Sequence, residues 1–451
     1  MSAGTNRLEV RVEDLRKGMY VAELDRPWVE VPLPLQGFPI RSDEELAVLR
    51  RYCARVYVDP ERCAAAGSER DLPGAAAGRA PARSRSARGG DDDAIDVSRR
   101  YPDPDRLRRQ VESAGATVGA ARGLVDEALQ RVERGRGVDV PAASSAVGEL
   151  AERVTQSPAA SLLLTSVHDH DNVTSTHSIH VCLLTLAFCL RAGVEANKLE
   201  AFGLGALLHD IGKARLPREL LDRPGPLDED EWALVRRHPI EGRRILADSG
   251  NVPRAVLNVA EMHHERRDGS GYPYGLRQPD LPGYVLVTAL ANRYQALTSP
   301  RPYRDAGAPD RVLQSFYSQA DGLYGSRVVE AFIRCVGIYP VGSVVELDSG
   351  ALAVVVSSRP SARLRPTVQL VRTPDGAPYA KLVLLNLAAE AERRERSDDA
   401  HPVRRVRRVR SPSETGIDPG AIIAETFGVQ LGHDGEAAQR GGASAAACAP
   451  R

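Results

Sequence analysis

"MHHERRDGSGYP", Met262 to Pro273, sets two of the chain's ten histidines side by side and follows them with a glycine-rich turn. Two adjacent imidazoles cannot both enter an ordinary helical core, because consecutive helical side chains point about 100° apart. Either the pair is a solvated accident or both rings grip one object, and the surrounding sequence decides. Working outward, residues 156–340 space their apolar side chains for helices, with Gly and Pro breaks between. That segment holds eight of the ten histidines, His168 to His264.

Four separated signals fall inside it. His177 opens the apolar run "STHSIHVCLLTLAFCL"; His209-Asp210 closes another in "GALLHDIGKARLP"; His238 stands in "RRHPIEG"; His263-His264 completes the set. Imidazole nitrogens with a carboxylate are the usual ligands of iron, manganese or zinc. An adjacent His-Asp can serve two ions, the carboxylate bridging them, and ions about 3.5–4 Å apart are standard machinery for phosphoester hydrolysis. Singly each signal is weak, since a lone buried histidine is more often a satisfied core residue. "VHDHD" at 167–171 reads as a decoy in a polar run, His180 as a core or supporting residue, and His401 and His433 as tail residues. The ordered set is what carries chemistry: His, then HD with Lys213 three residues on, then HP, then HH.

These blocks, with Gly271-Tyr272-Pro273, resemble the signature of the HD-GYP family, bacterial phosphodiesterases of the HD superfamily that hydrolyse cyclic di-GMP. The resemblance covers roughly residues 156–340 in family order and spacing. It implies that His177, His209 and Asp210 hold one divalent metal, with Asp210 bridging to a second held by His238, His263 and His264. Both ions are expected to be iron or manganese. It implies further that Lys213 sits beside the scissile phosphate as a catalytic group. Arg301 and Arg304 in "SPRPYRD" would bind phosphate oxygens, and Tyr272 would contact a guanine or a phosphate. The implied products are pGpG and GMP. The stretch "EDLRKGMYVAELDRPWVEVPLPLQGFPI" is similar to a small accessory domain often found ahead of this catalytic domain.

One block departs from the pattern. The family carries a sequence close to A-D-x-Y-D-A-L-T-S where this chain reads "ANRYQALTS", Ala291 to Ser299. Asn292 thus stands where an aspartate ligates the first metal, and Gln295 replaces a second aspartate three residues on. An amide oxygen can coordinate but is neutral, so occupancy at the first position should fall. Val173 occupies the place of a glutamate that marks three-metal members, so two ions at most are expected. Two readings of different class follow. One is an active cyclic di-GMP phosphodiesterase; the other is a degenerate domain that binds cyclic di-GMP or a protein partner without turnover. The complete GYP block argues against a third, an HD-type phosphohydrolase of other nucleotides.

The expected fold is mainly α: a helical HD bundle with a small α+β N-terminal domain and a short β element after the bundle. The boundaries read as an α+β accessory domain at 1–66, a flexible linker at 67–100 and a helical connector at 101–155. The catalytic bundle at 156–340, a β element at 341–389 and a disordered tail at 390–451 follow. In the first of these, "MYVAEL" and "ARVYVD" alternate as strands, and Ser42 with Glu45 forms a capping box. Asp348-Ser349-Gly350 reads as a hairpin turn. The arginines of "VRRVRRVR", Val403 to Arg410, read as a solvated charge run. With 60 basic and 60 acidic residues the net charge is zero, which excludes a general nucleic-acid binder. No apolar run approaches the roughly 20 residues of a membrane span, and six cysteines without CxxC spacing suit a cytoplasmic protein. Partners are expected to be cyclic di-GMP and a protein engaging residues 1–155, with a homodimer through the helices of 101–155.

Overall fold

Period-two alternation produces strands β1 (Leu8–Arg11), β2 (Tyr20–Leu24), β3 (Phe38–Pro39) and β4 (Arg55–Val58). They form an antiparallel sheet in the order β1-β4-β2-β3. Helix α1 (Asp43–Tyr52) starts at Ser42, whose Oγ accepts the Glu45 N–H at 3.2 Å. Glu45 reaches back to the Arg41 N–H at 2.6 Å, one residue beyond the expected position of a capping box. Val21, Leu49, Val56 and Val58 are fully buried in this unit. The structure is a computed structural model and describes residues 8–25, 38–60, 104–167, 173–221, 227–299, 306–359, 364–395 and 404–429. Single residues 31, 63, 223, 225 and 362 are described between these runs. The expected linker at 67–100, the pair His168 and His170, and Arg301, Arg304, His401 and His433 lie outside the described residues.

The expected connector is two helices, α2 (Pro104–Glu133) and α3 (Val140–Gln156). On α2, Leu107, Val111, Ala114, Val118, Ala121, Val125, Ala128 and Val132 recur at alternating steps of four and three, and all are buried. This stripe packs on α3, on α4 (Pro158–Leu164) and on the catalytic bundle. The apolar face that suggested pairing with a second copy is therefore covered within the chain.

The bundle itself runs α5 (Val173–Arg191), α6 (Ala196–Leu208), a 3₁₀ turn (Ile211–Arg215), α7 (Glu229–Val235), α8 (His238–Asp248), α9 (Arg254–Met262), α10 (Gly283–Thr298), α11 (Pro309–Ser318) and α12 (Ser326–Val336). Helices α5 and α10 are apolar around much of their circumference and pack against each other inside it, α5 also lying against α6. No helix among the described residues is long and apolar enough to cross a membrane.

After the bundle, β5 (Val344–Leu347), β6 (Leu352–Ser357), β7 (Thr367–Arg372) and β8 (Pro378–Asn386) form an antiparallel sheet. Gly350 turns the first hairpin at φ +87°, as expected. The chain beyond 390 differs from the expected tail. Helix α13 (Leu387–Glu395) extends into it, β9 (Val406–Arg410) pairs with β5 as fifth strand, and α14 (Pro419–Phe427) buries Ile423 and Phe427. The physical reason is charge pairing. Glu346 accepts Arg407 at 3.2 Å and Arg408 and Arg410 each at 2.8 Å; Arg404 meets Glu390 at 3.0 Å and Arg405 meets Glu44 at 3.5 Å. The run read as solvated cations is thereby fastened to the sheet and to α1. Residues 430–451 lie outside the described residues.

Candidate metal centre

The histidines of the bundle converge on Asp210 because they stand at helix ends. His209 caps the C-terminus of α6, His263 caps that of α9, and His238 opens α8. Helix ends leave backbone carbonyls without intrahelical partners, and here these orient the rings. The Nδ1–H of His209 donates to Ala206 O at 2.8 Å, that of His238 to Val235 O at 2.7 Å, and that of His263 to Ala260 O at 3.0 Å. Each bond fixes the tautomer and turns the Nε2 lone pair inward.

Those lone pairs meet one carboxylate. Oδ1 of Asp210 lies 3.3 Å from His238 Nε2 and 3.6 Å from His263 Nε2, while Oδ2 lies 3.4 Å from His209 Nε2 and 3.8 Å from His177 Nε2. The ligand atoms of Asp210, His238, His263 and His264 all fall within 4.8 Å of one another, as do those of His177, His209 and Asp210. Asp210 belongs to both groups, so its carboxylate is placed within reach of both. His209 Nε2 and Asp210 Oδ1 are buried with no hydrogen-bond partner. Buried acceptors without donors are costly, and cations would satisfy them.

Electrostatics agree. Burial opposes charge on Asp210, yet the Lys213 ammonium above all outweighs it and holds the carboxyl well below its usual range. Lys213 Nζ donates to Asp210 Oδ2 at 2.6 Å, its side chain 26% exposed at the mouth of the site. Burial above all lowers His177 and His263 to about 3, and it also depresses His264. The rings are therefore neutral near pH 7, the state that ligates metal.

The two replaced positions find definite places. Gln295 Oε1 accepts the Nδ1–H of His177, doing for that ring what backbone carbonyls do for the other three. Its Nε2 donates to Ser299 Oγ at 2.7 Å and toward His180 Nδ1 at 3.3 Å. With Nδ1 protonated, the Nε2 lone pair of His177 faces Asn292 Oδ1 at 2.9 Å. The ring nitrogen and the amide oxygen face the same point, an arrangement in which a neutral amide can join an imidazole as a ligand.

Tyr272 stacks on His264, ring centroids 4.5 Å apart at 18°, and Arg236 lies 5.6 Å from the Tyr272 centroid. Gly212 and Glu265, which sequence reasoning passed over, also shape the site, as does Gly271 of the GYP turn. A Cβ on Gly212 would overlap the His238 carbonyl and the Gly242 amide, so glycine there lets the turn after the HD lie directly on the start of α8. Gly271 is equally confined by the backbone of residues 264–266. Glu265, fully buried, accepts the N–H of Tyr274 at 2.7 Å and of Leu276 at 2.9 Å and so braces the glycine turn. In the sequence Glu265 and Gly212 are only an acid beside two histidines and a glycine three residues after His209, a pattern that marks no role by itself.

Three family models match the chain. They are an HD domain over residues 161–328, a domain of unknown function (DUF3391) over 7–143 and a KOW domain associated with HD domains over 344–392. The second runs as one match across the expected accessory domain, the linker and most of the connector. Among curated relatives, the cyclic di-GMP phosphodiesterase PA4108 of Pseudomonas aeruginosa is 33% identical over 80% of this chain and 84% of its own length. The response regulator RpfG of Xanthomonas campestris, also named a cyclic di-GMP phosphodiesterase, is 38% identical over 32% of this chain and 38% of its own length. A cyclic di-GMP phosphodiesterase of Thermotoga maritima is 33% identical over 36% of this chain and 45% of its own length. With that relationship running through most of PA4108, and the HD, HH and GYP residues gathered in one site, the chain belongs to the HD-GYP family of HD-domain proteins.

Proposed function

We propose that this protein hydrolyses the phosphodiester bonds of cyclic di-GMP, releasing pGpG and then GMP, with two iron or manganese ions held around Asp210. The observation that carries the reading is the ring of inward-facing Nε2 lone pairs around one shared, ionised carboxylate. The named activities of its relatives point the same way. Bound ions supply Lewis-acid stabilisation of phosphoryl oxygens and lower the pKa of water. The chain's own residues do the rest. Asp210 stays ionised under the charge of Lys213, and the buried neutral histidines present lone pairs without first losing a proton. Lys213 sets a fixed positive charge at the mouth, where an approaching phosphate would be neutralised. Tyr272, held flat against His264, offers its ring and Arg236 to a guanine. Arg301 and Arg304 are assigned to phosphate oxygens on their place in the family pattern. We also place the protein in the cytoplasm, the compartment that suits six cysteines without CxxC spacing.

A second reading, binding without turnover, is favoured by Asn292 and Gln295. One experiment separates the two. Cyclic di-GMP is offered to protein purified without oxygen and supplied with Fe(II) or Mn(II), beside the Asn292→Asp variant. Release of pGpG or GMP by the natural protein sustains the first reading. Turnover by the variant alone sustains the second, and turnover by neither overturns the hydrolytic assignment.

A further inference from the structure

Far from Asp210, where the accessory sheet, α2, the bundle and the second sheet meet, lies a cleft of about 640 Å³. Five arginines line it, each from a different segment: Arg41 after β3, Arg106 on α2, Arg191 at the end of α5, Arg334 on α12 and Arg359 after β6. No aspartate or glutamate lies among the lining residues. In a chain of zero net charge this is a marked local imbalance. The neighbouring cleft beside β9 shows the ordinary arrangement, its arginines sharing the lining with Glu44, Asp310 and Asp348. Among the described residues, the side chains of Arg41, Arg106, Arg191 and Arg334 are exposed and have no carboxylate partner. Those four guanidinium groups are gathered here with no carboxylate against them among the described residues, which favours an anion.

The floor between the guanidinium groups is apolar, with Leu107, Leu162, Ile333 and Val336, while Ser157 and Ser358 add hydroxyls at its walls. The volume falls in the range of small-molecule sites, about 300–1,000 Å³. Guanidinium groups bind phosphate oxygens in bidentate fashion, and an apolar floor takes the face of a base. We propose that this cleft is a second binding site, distinct from the metal centre, for a nucleoside polyphosphate. Its position gives the ligand contact with the accessory domain, the bundle and the second sheet together. Helix α5 links it to the metal centre, carrying His177 near its start and Arg191 at its end.

The test is calorimetric titration of the full-length, metal-loaded protein with GTP and, separately, with inorganic tripolyphosphate. The variants are Arg106→Gln and Arg334→Gln, each checked for an unchanged melting profile, with His263→Ala as the metal-centre control, checked for cooperative melting; the two arginines are exposed, so their loss should leave folding intact. Expected is saturable GTP binding that weakens by at least about tenfold in each arginine variant, the loss of one charge-assisted contact, and survives in His263→Ala. Binding lost only in His263→Ala would place the nucleotide at the metal centre and overturn the proposal. So would absence of saturable binding by either probe, or indifference to both arginine substitutions. Tripolyphosphate binding as tightly as GTP would overturn the nucleoside assignment.

Discussion

On one side of Asp210, His238 and His263 are oriented by backbone carbonyls and His264 by the ring of Tyr272. On the other, His209 has a carbonyl but His177 leans on Gln295 and shares its inner face with Asn292. The first side offers three imidazoles and the shared carboxylate; the second offers two imidazoles, a neutral amide and the same carboxylate. Backbone carbonyls cannot be mutated away, whereas a glutamine can. On the proposed two-metal reading, the half braced by side chains is the one in which metal affinity is adjustable, and it carries Asn292 and Gln295, the two residues that depart from the family pattern.

Asp210→Asn should break the comparison outright, because both halves use that carboxylate. Metal content should collapse at both positions and turnover should fall by roughly 10²–10³-fold, the scale of losing one partner of a buried charge pair. Elemental analysis alongside an activity assay checks this; retention of one ion per chain would show that the halves are independent. Gln295→Leu should act on one half alone. It leaves the His177 Nδ1–H buried without an acceptor, and affinity at that position should fall about 10–100-fold, as for other groups that orient metal ligands. The other half should stay loaded, and Gln295→Glu should restore binding. Asn292→Asp should sharpen the comparison from the opposite direction, raising affinity at the same position by a similar or smaller factor, seen as a second ion retained during dialysis against dilute chelator.

Acid should reveal the smallest difference between the halves. In metal-free protein, His177 and His263 both titrate near 3, below the ordinary histidine value of 6.5. The unfolded chain then binds more protons between those values, so stability present above about pH 6.5 should drain away as pH falls toward 3. Thermal melts of His177→Gln and His263→Gln should each show a shallower acid limb, to nearly equal extent.

The residues gathered around Asp210 were legible in the sequence because each combines a chemically rare residue with a fixed local frame. Two histidines in succession, or a histidine followed by aspartate at a helix end, have few structural uses. The supporting residues were not legible, since their roles depend on what lies across the site. Nothing local marks Gln295 as the acceptor for a ring 118 positions away, and Glu265 beside Arg266 and Arg267 looks like surface charge until its backbone partners are seen. Gly212 mattered only once the start of α8 lay on it. In the fold, the α2 stripe announced docking but not its partner. Strand β9 was hidden because "VRRVRRVR" repeats every third residue rather than every second; its place comes from Glu346 and the ladder with β5, not from its own pattern.

That ladder fixes where the chain can be shortened. Val344, Val345 and Leu347 of β5 are buried, and β9 covers their outer hydrogen-bonding groups through the pairs Val344–Arg410, Val345–Val409 and Glu346–Arg408. A protein ending at residue 395, just past the matched KOW region, would expose those groups as an open strand edge of valines, the kind of template on which other chains add and aggregate.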